Sequence, residues 1–156
     1  MTKRQKTSLE LRALLKKLGV RIVKNKKKGK WPKKLKLKAI DQALILARKR
    51  PAQTSEISCD VDAAGNPKIS TARFCAIGCL AAVMGRKVVF KEAGFLDGDG
   101  DGGFEGNTSN FLRSKTFDGS ECNVAQTIDR NDNPVEDVKN STVDALKWLR
   151  KQIEQE

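Results

Sequence analysis

Leu11, Leu14, Leu15 and Leu18 recur at i, i+3, i+4 and i+7, and Thr7-Ser8-Leu9-Glu10 ahead of them fits a capping box. The pattern predicts an amphipathic helix over 8–18, closed by Gly19, with its leucine stripe turned to a core. Val20 to Val23 reads as a short strand. Ile40, Ala43, Leu44 and Ala47 give a second helix over 35–50, ended by Pro51. Ile57 to Val61 suits a strand, and Ala64-Gly65-Asn66-Pro67 a turn. Residues 72–84 are apolar nearly all round. They predict a third helix, capped by Ser70 or Thr71, closed by Gly85 and buried at the centre of the domain. Lys87 to Lys91 fits a strand or a helix start, 97–110 a loop, and 110–115 and 121–128 short helices. Asn131 to Pro134 reads as a turn, and a capping box at Ser141 to Asp144 opens a last helix with Leu146, Leu149 and Ile153 inward. The expected fold is mainly α. A basic N-terminal segment, 1–38, carries one amphipathic helix, and a compact helical domain, 39–156, holds two or three short β-strands.

Charge divides the 156-residue chain differently from hydropathy. Residues 1–50 hold 19 Lys+Arg against Glu10 and Asp41, a net of +17, while 51–156 carry a net of −5, which together give the overall +12. Such asymmetry marks a contact with an anionic partner. The densest run contains Lys24, Lys26, Lys27, Lys28, Lys30, Lys33, Lys34, Lys36 and Lys38, with Trp31 among them as a side chain to stack on a base or insert at a surface. Gly29 and Pro32 break regular structure, so much of the run is expected as loop. Lysine rather than arginine favours point-charge contacts with phosphates over bidentate reading of bases. The same run has the composition of a nuclear import signal.

The chain has no His, which excludes Ser-His-Asp and Cys-His catalysis, His-ligated zinc and an imidazole pH switch. The N-terminus lacks the apolar stretch of a secretory signal. The longest apolar run, Phe74 to Met84, is eleven residues, short of the roughly 20 of a membrane span. The expected location is cytoplasmic, with nuclear or virion placement compatible. Cys59, Cys75, Cys79 and Cys122 show no CxxC knuckle, so they read as reduced core thiols rather than a zinc site. Asp97-Gly-Asp99-Gly-Asp101-Gly resembles the start of a calcium loop, with Glu105 as a further oxygen. Thr108 stands where a bidentate Glu should close it, so any Ca2+ would bind weakly, and otherwise no cofactor is expected. Asp60/Asp62 and Asp129/Asp132 are carboxylate pairs that nothing in the sequence brings together.

Two segments resemble a known family. Arg73-Phe-Cys-Ala-Ile-Gly-Cys-Leu80 is similar to a W-C-A-L-G-A-L helix. Thr127-Ile-Asp-Arg-Asn-Asp-Asn-Pro134, followed by Ser141 to Leu149, is similar to an I-x-x-W-N-D-x-P turn and a T-x-E-E-V terminal helix. These mark an uncharacterised family of small actinobacterial and phage proteins, and the resemblance covers roughly 38–156. Arg130 stands where that family has an aromatic, and Cys79 where it has Ala. The resemblance implies a compact helical domain without an assigned activity, and it singles out Cys75, Gly78, Asn131 and Asp132. Physically, the first two would let the central helix pack closely, and the last two would hold a turn by side-chain to backbone bonds.

The expectation for function is a non-enzymatic binding or structural protein, compatible with a virus or phage origin. It would contact DNA, RNA or another polyanion through the lysine-rich segment. The alternatives are a module that docks an acidic protein surface, including that of a second copy, and a carboxylate enzyme with a metal at Asp97, Asp99 and Asp101. The sequence leaves the oligomeric state open.

Overall fold

The computed structural model describes residues 1–26, 31–54, 57–92, 94–98 and 121–155. Helix α1 (Lys3–Lys17) starts ahead of the leucine period, because Thr2 rather than Thr7 caps it. Thr2 Oγ1 accepts from Gln5 N at 3.2 Å and Gln5 Oε1 accepts from Thr2 N at 2.9 Å. Thr7 lies inside the helix, where its hydroxyl donates back to Lys3 O at 2.9 Å. At the other end Gly19 takes φ +77°. Val20 N bonds Leu15 O and Gly19 N bonds Lys16 O, the paired bonds of a Schellman stop. The expected strand at 20–23 is instead an extended tether. Val20 and Val23 are buried, and Val23 N donates to Val83 O at 2.7 Å. Helix α2 (Lys33–Lys49) follows Pro32 and starts two residues ahead of the expected 35, so Lys33 and Lys34 of the basic run are helical as well.

Strand β1 (Ile57–Val61) pairs antiparallel with β2 (Pro67–Phe74) across the expected turn. The turn is held by Asp62, whose Oδ1 accepts from Ala64 N and Asn66 N, both at 2.9 Å. These N–H groups, Asn66's first, hold the Asp62 carboxyl below its ordinary value. Strand β2 takes up Ser70 to Phe74, which were expected to cap and begin the third helix. Ile69, Ala72 and Phe74 are its buried residues, Ile57 pairs with Phe74, and the chain enters helix α3 (Ala76–Val83) only after Cys75. Pairing jumps from Ser58↔Arg73 to Asp60↔Lys68, and Thr71 bridges the irregularity. Its hydroxyl accepts from Asp60 N at 2.8 Å and donates to Lys68 O at 2.7 Å.

Strands β3 (Val88–Glu92) and β4 (Phe95–Gly98) complete a four-stranded antiparallel sheet of order β2-β1-β4-β3. Helices α4 (Glu121–Asp132) and α5 (Ser141–Glu154) close the chain. The fold is therefore α+β, not the mainly α domain expected from sequence. Strand β2 takes residues 72–74 from the expected third helix, and β4 takes 97–98 from the expected loop. All eight residues of α3 are buried, and it packs against α2, α4, α5 and β2. Helix α1 lies against β2 and β3. Leu11, Leu14, Leu15 and Trp31 belong to the same hydrophobic core as Leu80, Leu146 and Leu149, so the helix of the basic segment is built into the domain.

Candidate nucleic-acid interface

The lysine run is distributed unevenly by the fold. Lys24, Lys26, Lys33, Lys34 and Lys38 are exposed, while Lys27, Lys28 and Lys30 lie outside the described residues. Lys33 Nζ donates to Glu154 O at 2.7 Å, tying the start of α2 to the end of α5. Two expected contact residues are placed inward. Lys36 is 5 % exposed and Trp31 8 %, because helix α2 turns Lys36, Ala39, Ile40 and Ala43 to the core and Trp31 joins them. Trp31 is thus a core aromatic and not a platform for a base.

Exposed cations ahead of the run extend it. Lys16 and Lys17 end α1, Arg21 lies in the tether, and Lys24, the first lysine of the run, passes its aliphatic stem beside Gly85. Lys16, Lys17, Arg21, Lys24, Lys26, Lys34 and Lys38 make no ion pair among the described residues. Asp41, one of the two acids in this part of the chain, is taken by Arg150 at 2.9 Å, and that carboxylate holds the guanidinium pKa above its ordinary value. Lys49 is also committed, its Nζ donating to Leu18 O at 2.6 Å and capping the carbonyl end of α1. Lys16, Lys17 and Arg21 lie ahead of the dense lysine run, and their signal in the sequence is the lack of any acid between Glu10 and Asp41.

The calcium-loop residues are only partly described. Asp97 stands in β4 opposite Val89, with Oδ1 accepting from Gly98 N at 2.7 Å. Asp99, Asp101 and Glu105 lie outside the described residues. Among the described residues no three potential ligands converge. Cys59, Cys75 and Cys79 are buried and form no disulfide among the described residues, and the Cys122 side chain lies outside the described residues. Burial, with Cys75 adjacent, pushes the Cys79 thiol well above its ordinary pKa, and burial beside Asp60 raises Cys59, so neither is poised as a thiolate.

The four residues singled out by motif form a polar joint. Cys75 is the N-cap of α3, its Sγ accepting from Gly78 N at 3.4 Å. Asn131, 1 % exposed, accepts from Ala76 N at 2.6 Å and donates to Ala52 O at 2.9 Å and Gln53 O at 2.8 Å. The first N–H groups of a buried helix need internal acceptors, and these two side chains supply them. Asn131 therefore bonds across the fold rather than within its own turn, correcting the local reading. It sits in α4, as does Asp132, whose backbone carbonyl, not its carboxylate, takes part by accepting from Gln53 Nε2 at 3.2 Å. Thr142 adds a bond to Ala52 O at 2.9 Å, and Asn140, the N-cap of α5, donates to Ala47 O at 3.1 Å. Sequence reasoning missed Thr142 and placed the cap at Ser141.

No family model matches the chain, and neither does any curated protein or solved structure. The geometry of the joint is that of a structural tie between helices. Arg130, where the resemblance expects an aromatic, lies 5.2 Å over the Trp148 ring and 3.9 Å from Asp144, joining α4 to α5 at the surface. No helix among the described residues is long and apolar enough to cross a membrane.

Proposed function

We infer that the protein is a non-enzymatic binding protein that contacts nucleic acid, or a polyanion like it, without reading sequence. The observation that carries this is the group of seven exposed cations between Lys16 and Lys38 with no ion-pair partner among the described residues. Like charges at that density repel one another until phosphates or counterions neutralise them. Six of the seven are lysines, point charges without the fork that reads a base edge, and with Trp31 in the core no described aromatic of the run is left for stacking. Affinity therefore comes from counterion release.

The test is anisotropy of a labelled duplex titrated at several salt concentrations. Log affinity should fall linearly with log salt, at about −0.9 per phosphate contacted. The variant Lys24→Gln/Lys26→Gln/Lys34→Gln/Lys38→Gln should lose about 3 to 4 from that slope and bind all sequences more weakly. Deleting 1–38 is a poor substitute, since it removes Leu11, Leu15 and Trp31 from the core. Absence of binding at low salt, or an unchanged slope in the variant, sinks the reading.

A further inference from the structure

Beside β3, helix α1 leaves a groove of about 550 Å3 whose walls include Arg4, Arg12, Lys87, Met1, Leu9 and Val88. Arg4, Ser8 and Arg12 stand at i, i+4 and i+8, one row on the helix, which puts the two arginine Cα atoms about 12 Å apart. Ser8, between them, is fixed to the strand, its Oγ accepting from Val88 N at 3.4 Å. Among the described residues no carboxylate lines this groove, whereas in the second groove along α1, about 610 Å3, Lys3 and Lys6 share the wall with Glu10 and Asp62. Arg12 and Lys87 make no ion pair with a described residue. Two of the three cations are arginine, whose planar fork suits carboxylates, and Leu9 is 50 % exposed between them. The groove calls for carboxylates next to an apolar side chain.

The same chain displays that combination. Val135 is 69 % exposed and is followed by exposed Glu136 and Asp137 in the link between α4 and α5. Val138 N donates to Val135 O at 3.4 Å and Asp137 takes φ +70°, so the two acids occupy the tip of a tight turn. An exposed acidic turn and a basic groove are complementary in sign.

We propose that the α1–β3 groove of one copy receives the Val135–Asp137 turn of a second copy. Glu136 and Asp137 meet Arg12, Lys87 and Arg4, and Val135 covers Leu9 and Met1. Groove and turn are different patches of one surface, so the contact is head-to-tail, and repetition gives rings or open chains rather than two-fold dimers. A contact this small is weak and salt-sensitive.

Sedimentation velocity on nuclease-treated full-length protein tests this apart from nucleic-acid bridging. The mean sedimentation coefficient should rise with protein concentration at about 50 mM salt and the rise should disappear at about 500 mM. Arg12→Glu/Lys87→Glu should weaken association about tenfold or more, and so should Glu136→Arg/Asp137→Asn. Asparagine is used at 137 because it tolerates the positive φ. All four positions are exposed, and matching urea midpoints confirm that the variants are folded. Mixing the two variants should restore association, since the mixture again holds an intact groove and an intact turn. Wild type that stays monomeric at low salt, variants that associate undiminished, or a mixture that stays monomeric overturns the proposal. So does a groove variant that loses duplex binding while its self-association is unchanged.

Discussion

Asn131 and Asp132 are neighbours with opposite energetic signs. Removing the Asn131 side chain strands the Ala76 N–H and two carbonyls in a buried joint. Asn131→Ala should therefore cost about 3 kcal/mol or more, read as a lower urea midpoint. Asn131→Asp should be no better, because a carboxylate would face Ala52 O and Gln53 O. Asp132 ends α4, where the helix dipole disfavours an anion, and burial, with Asp129 adding, raises its pKa. A raised folded-state pKa means the neutral acid is the better-tolerated form. Its contribution is complete below about pH 4, the unfolded value, and is lost as pH rises through the folded value. Asp132→Asn should thus gain about 0.5 kcal/mol at pH 7 and nothing below about pH 4, checked by thermal melts across pH. The motif pointed to both residues. It did not separate them, because the partners of Asn131 lie far away in sequence, and no local pattern encodes them.

At the scale of elements, helices with a clean period and the strand at 57–61 were legible, and the bounds of β2 and β4 were not. The leucine stripe of α1 and the inward Leu146, Leu149 and Ile153 of α5 sit in the core as their spacing predicts. The β2–α3 junction was missed because Phe74 opens the apolar run that continues into α3 and Ala72 lies just ahead of it, and only pairing with β1 makes these residues strand. Likewise β4 was hidden behind its Gly–Asp flank. Its entry depends on Gly94, at φ +85°, whose O accepts from Cys59 N at 2.7 Å. A Cβ there would meet the Cys59 backbone carbonyl, which cannot yield, as a flexible side chain could. Gly94→Ala should break the β1–β4 contact and cost several kcal/mol, about 3 or more, or leave the protein insoluble. Gly65 has a similar φ, +82°, but nothing within 4 Å of the added carbon, so Gly65→Ala should cost only about 1 kcal/mol. Equal costs in denaturant melts would show that backbone strain, not the close approach, governs both sites.

The whole molecule carries its charge as two populations on one core. Its N-terminal third holds the +17, yet α1 and Trp31 are packed with residues from the end of the chain. The charge partition follows from the sequence, but its placement does not, since Lys36 and Trp31 turn inward through contacts that only the folded chain makes. Because the unpaired cations are held on a folded surface, their mutual repulsion acts on the native state, and it is strongest where screening is weakest. Raising salt from about 10 to 200 mM should therefore increase the melting temperature. Substituting Gln at Lys24, Lys26, Lys34 and Lys38 should stabilise the protein at low salt by about 0.5 kcal/mol and have no effect at high salt. An added polyanion should reproduce the salt effect at far lower concentration, because it binds the clustered charge of the folded state. If the melting temperature falls or stays level as salt is raised, the cations are already compensated within the fold. The basic surface would then hold no stored repulsion for a phosphate backbone to relieve.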